Sequence, residues 1–275
     1  MEEVIVPDDE MTQIDRGDAL AIRDNGSYST RNTAKGALVA EAGQVFAALA
    51  GGMAVEQIRD QVLDGEMLSQ RSRNTRKGIW DRIHYRYLTH RIRWIIDAFV
   101  AALDVGSHSR EFISLLYLHY ALRDRLTYDF VTEVLWNKGF HNRPFIPRTE
   151  VLDLLDAKSE AHPEIQKWTE TSRVKLAGAM LTALRDLGLF EGTQKKYLVR
   201  PSLPTPTAEH LLRILVAEGN RGRKILEDPT WRLFMLTEQE VANTLTQVAQ
   251  ESEVQFERVG STVVLQTPDQ WEATP

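Results

Sequence analysis

The chain has 275 residues, of which 43% are hydrophobic and 26% charged, and its net charge is −6. That length can bury a substantial core, in about two or three compact units, with the composition of an ordinary soluble protein. It contains no cysteine, which excludes disulfides, thiolate nucleophiles and cysteine-based zinc sites together. The acids are not spread evenly. Residues 1–18 hold Glu2, Glu3, Asp8, Asp9, Glu10, Asp15 and Asp18 against Arg16, so 1–28 reads as an acidic, flexible arm. The start, MEEVIVPDDE, lacks the basic region and apolar core of a secretory signal, and a cytoplasmic location is expected.

Thr33 to Ala50 reads as a helix with Leu38, Val45, Phe46 and Leu49 on its apolar face and Gly51-Gly52 as its stop. No Lys-Ser/Thr follows the double glycine, which favours a helix cap over a phosphate loop. After a short amphipathic helix from Val55 to Leu63 comes the most unusual stretch, QRSRNTRKGIWDRIHYRYLTHRIRW, Gln70 to Trp94. It carries Arg71, Arg73, Arg76, Lys77, Arg82, Arg86, Arg91 and Arg93 against the single acid Asp81. As one helix capped by Ser72 or Asn74, it would turn Ile79, Trp80, Ile83 and Tyr87 inward and set Arg82, Arg86, His90 and Arg93 in a neighbouring stripe. Guanidinium forks at that spacing suit a polyphosphate, the alternative being a solvated face paired with the protein's own acids.

Ile92 to Leu103 continues the apolar pattern, either running on from the basic helix or bending near Trp94. No apolar run approaches the roughly 20 residues of a membrane span. Phe112 to Leu126 is the most apolar helix of the chain, and its His119 reads as a satisfied core residue. Tyr128 to Asn137 follows, and the prolines of HNRPFIP (His141 to Pro147) mark a joint. Next come a short helix from Thr149 to Ala157 and a longer one, capped by Thr169 or Thr171, reaching Leu187. A turn at Glu191-Gly192-Thr193 then leads into KKYLVRP. Two helices followed by a small strand pair is the order of a winged helix-turn-helix, with Lys195, Lys196 and Arg200 placed to meet a phosphate backbone; a helical hairpin with an ornamental β-turn is the alternative. Beyond the proline-rich PSLPTP, helices from Ala208 to Ala217 and Glu238 to Gln250 precede a hairpin in VQFERVGSTVVLQT. Glu251, Glu253 and Glu257 assign that last module to protein contacts before DNA. The chain lacks HExxH, GxSxG, Walker and GxGxxG motifs, and a binding role is expected rather than catalysis, with no cofactor, metal or small-molecule substrate.

Three segments also resemble the BrxA family of bacteriophage exclusion (BREX) defence loci. They are VLDGEMLSQRSRNTRKGIWDRIHYRYL (Val62 to Leu88), WTETSRVKLAGAMLTALRDLGLFEG (Trp168 to Gly192) and the following KYLVRPSLP. The resemblance spans roughly Thr33 to Leu215. It implies a helical N-terminal part comparable to the antitermination protein NusB, joined to a winged-helix-like part, with double-stranded DNA binding, other BREX proteins as partners and no enzymatic activity of its own. The family has also been labelled a possible inner-membrane protein, which this sequence does not support.

The expectation is therefore a mainly α protein: an acidic segment (1–28), a NusB-like helical domain with the basic helix (29–140), a winged-helix-like domain with its linker (141–206) and a small α/β-hairpin module (207–275). DNA contact is assigned to Arg71, Arg73, Arg76, Lys77, Arg82, Arg86, Arg93, Lys195, Lys196 and Arg200. RNA binding and docking to an acidic partner protein are the competing readings.

Overall fold

The computed structural model describes residues 22–31, 36–69, 72–89, 92–260 and 262–272. Among them the chain is mainly helical, with two two-stranded antiparallel sheets, as the periodicity predicts. Helix α1 (Val39–Ala50) is entered through Leu38, whose φ of 58° lies outside the right-handed helical region. The expected start at Thr33 lies outside the described residues. Gly51 ends the helix, its N–H reaching the Ala47 carbonyl at 3.1 Å. Helix α2 (Val55–Asp64) closes on Gly65 at φ 88°, a left-handed cap that glycine adopts without a Cβ clash.

The basic segment departs from one regular helix. Helix α3 (Arg73–Ile83) runs straight into a π-helical turn, His84–Leu88, and helix α4 (Arg93–Val105) begins after Ile92, which has extended backbone. A π turn holds an extra residue, so it resets the side-chain directions that a constant 100° step predicts. Ile79, Trp80, Ile83 and Tyr87 are buried as expected, but the arginine stripe is not continuous.

Ser109 caps helix α5 (Arg110–Leu122), accepting from Phe112 N at 3.1 Å. It is followed by helix α6 (Arg125–Asp129), a second π turn (Phe130–Leu135) and helix α7 (Trp136–Lys138). Helix α8 (Thr149–Lys158) and helix α9 (Glu170–Asp186) come next, the latter capped by Thr169. Strands β1 (Phe190–Glu191) and β2 (Tyr197–Leu198) form the first hairpin. The proline-bearing HNRPFIP does more than join: Phe145 bridges Tyr197, and Ile146 N and Leu198 N donate to Lys196 O and Pro144 O, both at 2.9 Å. A third edge is thereby added to the hairpin. Its prolines are tolerated because an edge needs few donors.

Helix α10 (Thr205–Ala217) starts inside PSLPTP, with Pro206 in its first turn. Helix α11 (Arg223–Glu227) and a 3-10 turn (Pro229–Phe234) lead to helix α12 (Glu238–Glu251), whose Thr237/Glu240 capping box forms as the spacing predicts. Strands β3 (Gln255–Val259) and β4 (Thr262–Gln266) and helix α13 (Asp269–Glu272) end the described chain. Val254 is buried, while Phe256, Val263 and Leu265 are only partly covered.

One apolar cluster runs from Ile22 to Val254 without a break at 140 or 206. Phe46 stacks on Phe99 at 4.3 Å, with Phe112 edge-on to both. Helix α10 is tied to α5 by polar pairs inside that core: Ser114 with Thr207 at 2.6 Å and His119 Nε2 with His210 Nε2 at 2.9 Å. His119 is thus a partnered core residue, as its surroundings in the sequence predict. No helix among the described residues is long and apolar enough to cross a membrane.

Candidate functional site

The fold sorts the expected cations into three groups. Arg71 lies outside the described residues, as do His90 and Arg91. Arg73, on the first turn of α3, is exposed and Arg82 is half-buried, its Nε enclosed without a hydrogen bond. Neither has an acid partner among the described residues.

A second group is committed to the protein itself. Arg76 caps the C-terminus of α2, donating from Nη2 and Nε to the Leu63 carbonyl at 2.7 and 3.1 Å. A cation there meets the negative end of the helix dipole. Lys77 pairs with Asp81 at 2.8 Å and Arg93 with Asp97 at 2.9 Å, both one turn on. The exposed face of this segment is therefore more neutral than its composition suggests. Arg200 pairs with Glu240 at 2.8 Å and lies 5.2 Å from the Phe140 ring centre.

Arg86 corrects the expectation most sharply. Its side chain is 1% exposed, donates to Gly36 O and Ala37 O at 2.9 and 3.2 Å, and sits 4.6 Å over the Tyr120 ring. The π turn directs it inward, where it satisfies carbonyls at the entrance to α1 and offsets the buried Asp124 carboxyl. Burial still pushes Asp124 up to about 6, against the opposing influences of Thr127 and Arg86. A guanidinium so placed is a structural cation with no route to a phosphate in solvent.

The third group surrounds the first hairpin. Lys195 is exposed, with no ion pair among the described residues, at a turn closed by Gly192 at φ 90°. A Cβ on Gly192 would collide with the Lys195 carbonyl oxygen. Gly192→Ala is expected to lower stability by about 2 kcal/mol, measured by urea unfolding; an unchanged midpoint would show that the turn tolerates a side chain. Lys196 is half-buried, its Nζ 3.3 Å from Thr193 O. Burial, and then the charges of Arg185 and Arg148, hold its amine below the ordinary lysine value, with Asp186 opposing them.

Sequence reasoning missed Arg148 and Arg185. Arg148 lies 48 positions and Arg185 11 positions before Lys196, each on a different element, so no local pattern announces the cluster that α8, α9 and the hairpin bring together. Among the described residues, no three His, Asp or Glu side chains converge as a metal-binding group.

The BrxA family model matches residues 26–214 of the chain. A solved structure, that of an uncharacterized protein from Magnetospirillum magneticum, superposes with a TM-score of 0.58 at 17% identity, over 77% of this chain and 100% of the other. At that identity the likeness is one of fold. No curated protein matches the chain.

Proposed function

The chain belongs to the BrxA family, and from that membership and its charge layout we propose that it is a non-catalytic, duplex-DNA-binding component of a BREX phage-defence system. Family membership supports a role in such a system, with its other proteins as partners. DNA binding rests on the observation that Lys195 and Lys196 hold no ion pair among the described residues, whereas Arg200 beyond them is paired with Glu240. Lys195 is exposed and unpaired among the described residues, and the charges nearest Lys196 include Arg185 and Arg148. The edge at Phe145, two helices and the hairpin follow the order of a winged helix-turn-helix, a frame that sets one helix and a wing against a duplex.

Contacts are assigned to Lys195 and Lys196 on the hairpin, with Arg73 and Arg82 as a second patch on α3. Arg71 remains part of the proposed interface on its sequence position alone. Arg86 is withdrawn, and Arg76, Lys77, Arg93 and Arg200 must first exchange the partners they already hold. Such contacts read phosphates and not bases, so sequence preference is low.

With about four phosphates neutralised, log K against log[salt] should fall with a slope of roughly −3 to −4. Arg73→Glu with Lys195→Glu should cost at least about tenfold in affinity at low salt with an unchanged melting temperature, because exposed substitutions leave stability within about 0.5 kcal/mol. Fluorescence anisotropy with a labelled duplex measures both. A flat salt dependence contradicts the reading. Preference for single-stranded RNA of equal length would favour the RNA alternative, and nuclease-resistant co-purification with an acidic protein, without a shift on DNA, would favour the adaptor.

A further inference from the structure

Between α9 and the hairpin lies a groove of about 470 Å³ whose lining includes Phe145, Arg148, Gly178, Thr182, Thr193 and Lys196. Its floor is a helix face with little side chain. Lys175, Gly178, Thr182 and Arg185 recur at i, i+3, i+7 and i+10 and so share one side of α9. Gly178 sits inside a 17-residue helix, where glycine costs about 1 kcal/mol relative to alanine. Arg148 lies across the helix at this point, its Cδ 3.5 Å from where a Cβ on Gly178 would be, an ordinary van der Waals contact.

The rim is cationic and poorly compensated. Arg148 is exposed, its side chain without a hydrogen bond or ion pair among the described residues, and Arg185 shares its charge with Asp186 at 2.6 Å. Lys196 adds a third positive charge, its amine held below the ordinary lysine value by burial first and then by the charges of Arg185 and Arg148. An anion seated between them would relieve that repulsion. At the mouth, Phe145 and Tyr197 stand beside one another, 47% and 38% exposed, with ring centres 6.1 Å apart. Two adjoining aromatic rings left in solvent beside a cationic groove provide an apolar surface for a deoxyribose next to the phosphate.

We propose that this groove is the principal phosphodiester seat of the protein: Arg148 and Lys196 close on one phosphate of a duplex strand, Arg185 and Lys175 line the approach along α9, and Phe145 covers the adjoining sugar. The proposal rests on the DNA-binding reading above and places its centre in the α9 groove beside the hairpin, ahead of α3, where Arg76 and Lys77 are already occupied.

The test compares wild type, the double variant Arg148→Ala with Lys196→Ala, and Thr182→Glu, which puts a carboxylate into the groove from a half-buried helix position. Circular dichroism melting establishes that each is folded. Both variants should bind a short duplex at least about tenfold more weakly, and the salt slope of the double variant should be shallower by about 1, for the one phosphate no longer held. In titration calorimetry, inorganic pyrophosphate should bind wild type and neither variant. If wild type binds DNA and both variants match it, the groove assignment is overturned while DNA binding stands. If wild type binds no DNA, the functional reading fails, and the pyrophosphate titration alone then decides the groove: binding lost in the variants supports an anion seat, and no binding to wild type overturns it.

Discussion

Replacing Arg86 with alanine is expected to destabilise the protein by about 4 kcal/mol, more than any substitution among the exposed cations. The side chain is fully enclosed and donates to two backbone carbonyls, Gly36 O and Ala37 O, at the entrance to α1. Removing it leaves acceptors inside the protein without donors, at about 1 to 3 kcal/mol for each group left unsatisfied. It also opens a cavity over Tyr120 and takes a compensating charge away from Asp124. Breaking one partner of a buried charged arrangement typically costs about 3 to 5 kcal/mol, which sets the scale. Arg86→Met keeps much of the apolar stem and should lose less than alanine. Urea unfolding at neutral pH measures both, and a loss under about 1 kcal/mol for alanine would mean that Arg86 is not holding the α1 entrance. DNA affinity of whatever fraction stays folded should be unchanged, which separates this arginine from Lys195 and Arg148.

Acidification should loosen the seam between α5 and α10 through His210. The two imidazoles share one hydrogen bond, Nε2 to Nε2, so one ring donates and the other accepts, and the accepting nitrogen is unprotonated. Burial, followed by the charges of His119 and Arg213, holds His210 well below the ordinary histidine value of 6.5. Trp94 packs against the same ring, tilted by 60° with centroids 5.1 Å apart, and Arg213 lies over Trp94. A histidine whose folded pKa is depressed stays neutral in the fold but takes up a proton once unfolded. Its contribution is therefore intact above pH 6.5 and is lost as pH falls below it, at about 1.4 kcal/mol per pH unit while the folded ring stays neutral.

Asp124 runs the other way. Its folded pKa is raised from 3.8 to about 6, so its contribution improves as pH falls through that window and offsets part of the histidine loss. The effect is isolated by subtraction. His210→Gln keeps a hydrogen-bonding group without a titrating ring, and its unfolding free energy should show a shallower fall between pH 7 and 5 than wild type. Parallel curves for the two proteins would remove His210 as the source.

Much of the architecture follows from short-range chemistry. Thr169 and Thr237 cap their helices, and Gly51 and Gly65 end theirs, because capping and left-handed termini depend on a few adjacent residues. The apolar positions Val45, Phe46, Leu49, Ile79, Trp80 and Ile83 are buried as their spacing requires. The π turn at His84–Leu88 had no comparable signal, since nothing in HYRYL distinguishes a wide turn from a regular one. From that single extra residue follow the inward course of Arg86 and the break in the arginine stripe. The i+4 acids Asp81 and Asp97 were visible, yet they count for little in a tally of local charge; they matter because each sits one helical turn from a specific cation.

By itself, then, the sequence determined the helical class, the caps and stops, the hairpins and the family likeness, all of which rest on neighbours within about a turn of helix or on a linear match. Tertiary structure alone decided which cations remain available. Arg86 is consumed by carbonyls some fifty positions away, whereas Arg148 and Lys196 gain a shared groove, with the Arg185 charge near it, by the packing of α8, α9 and the hairpin. The physical reason is that a charge's role depends on its solvation and on the charges around it. Both are fixed by segments distant in the chain, and neither is written in the residues beside it.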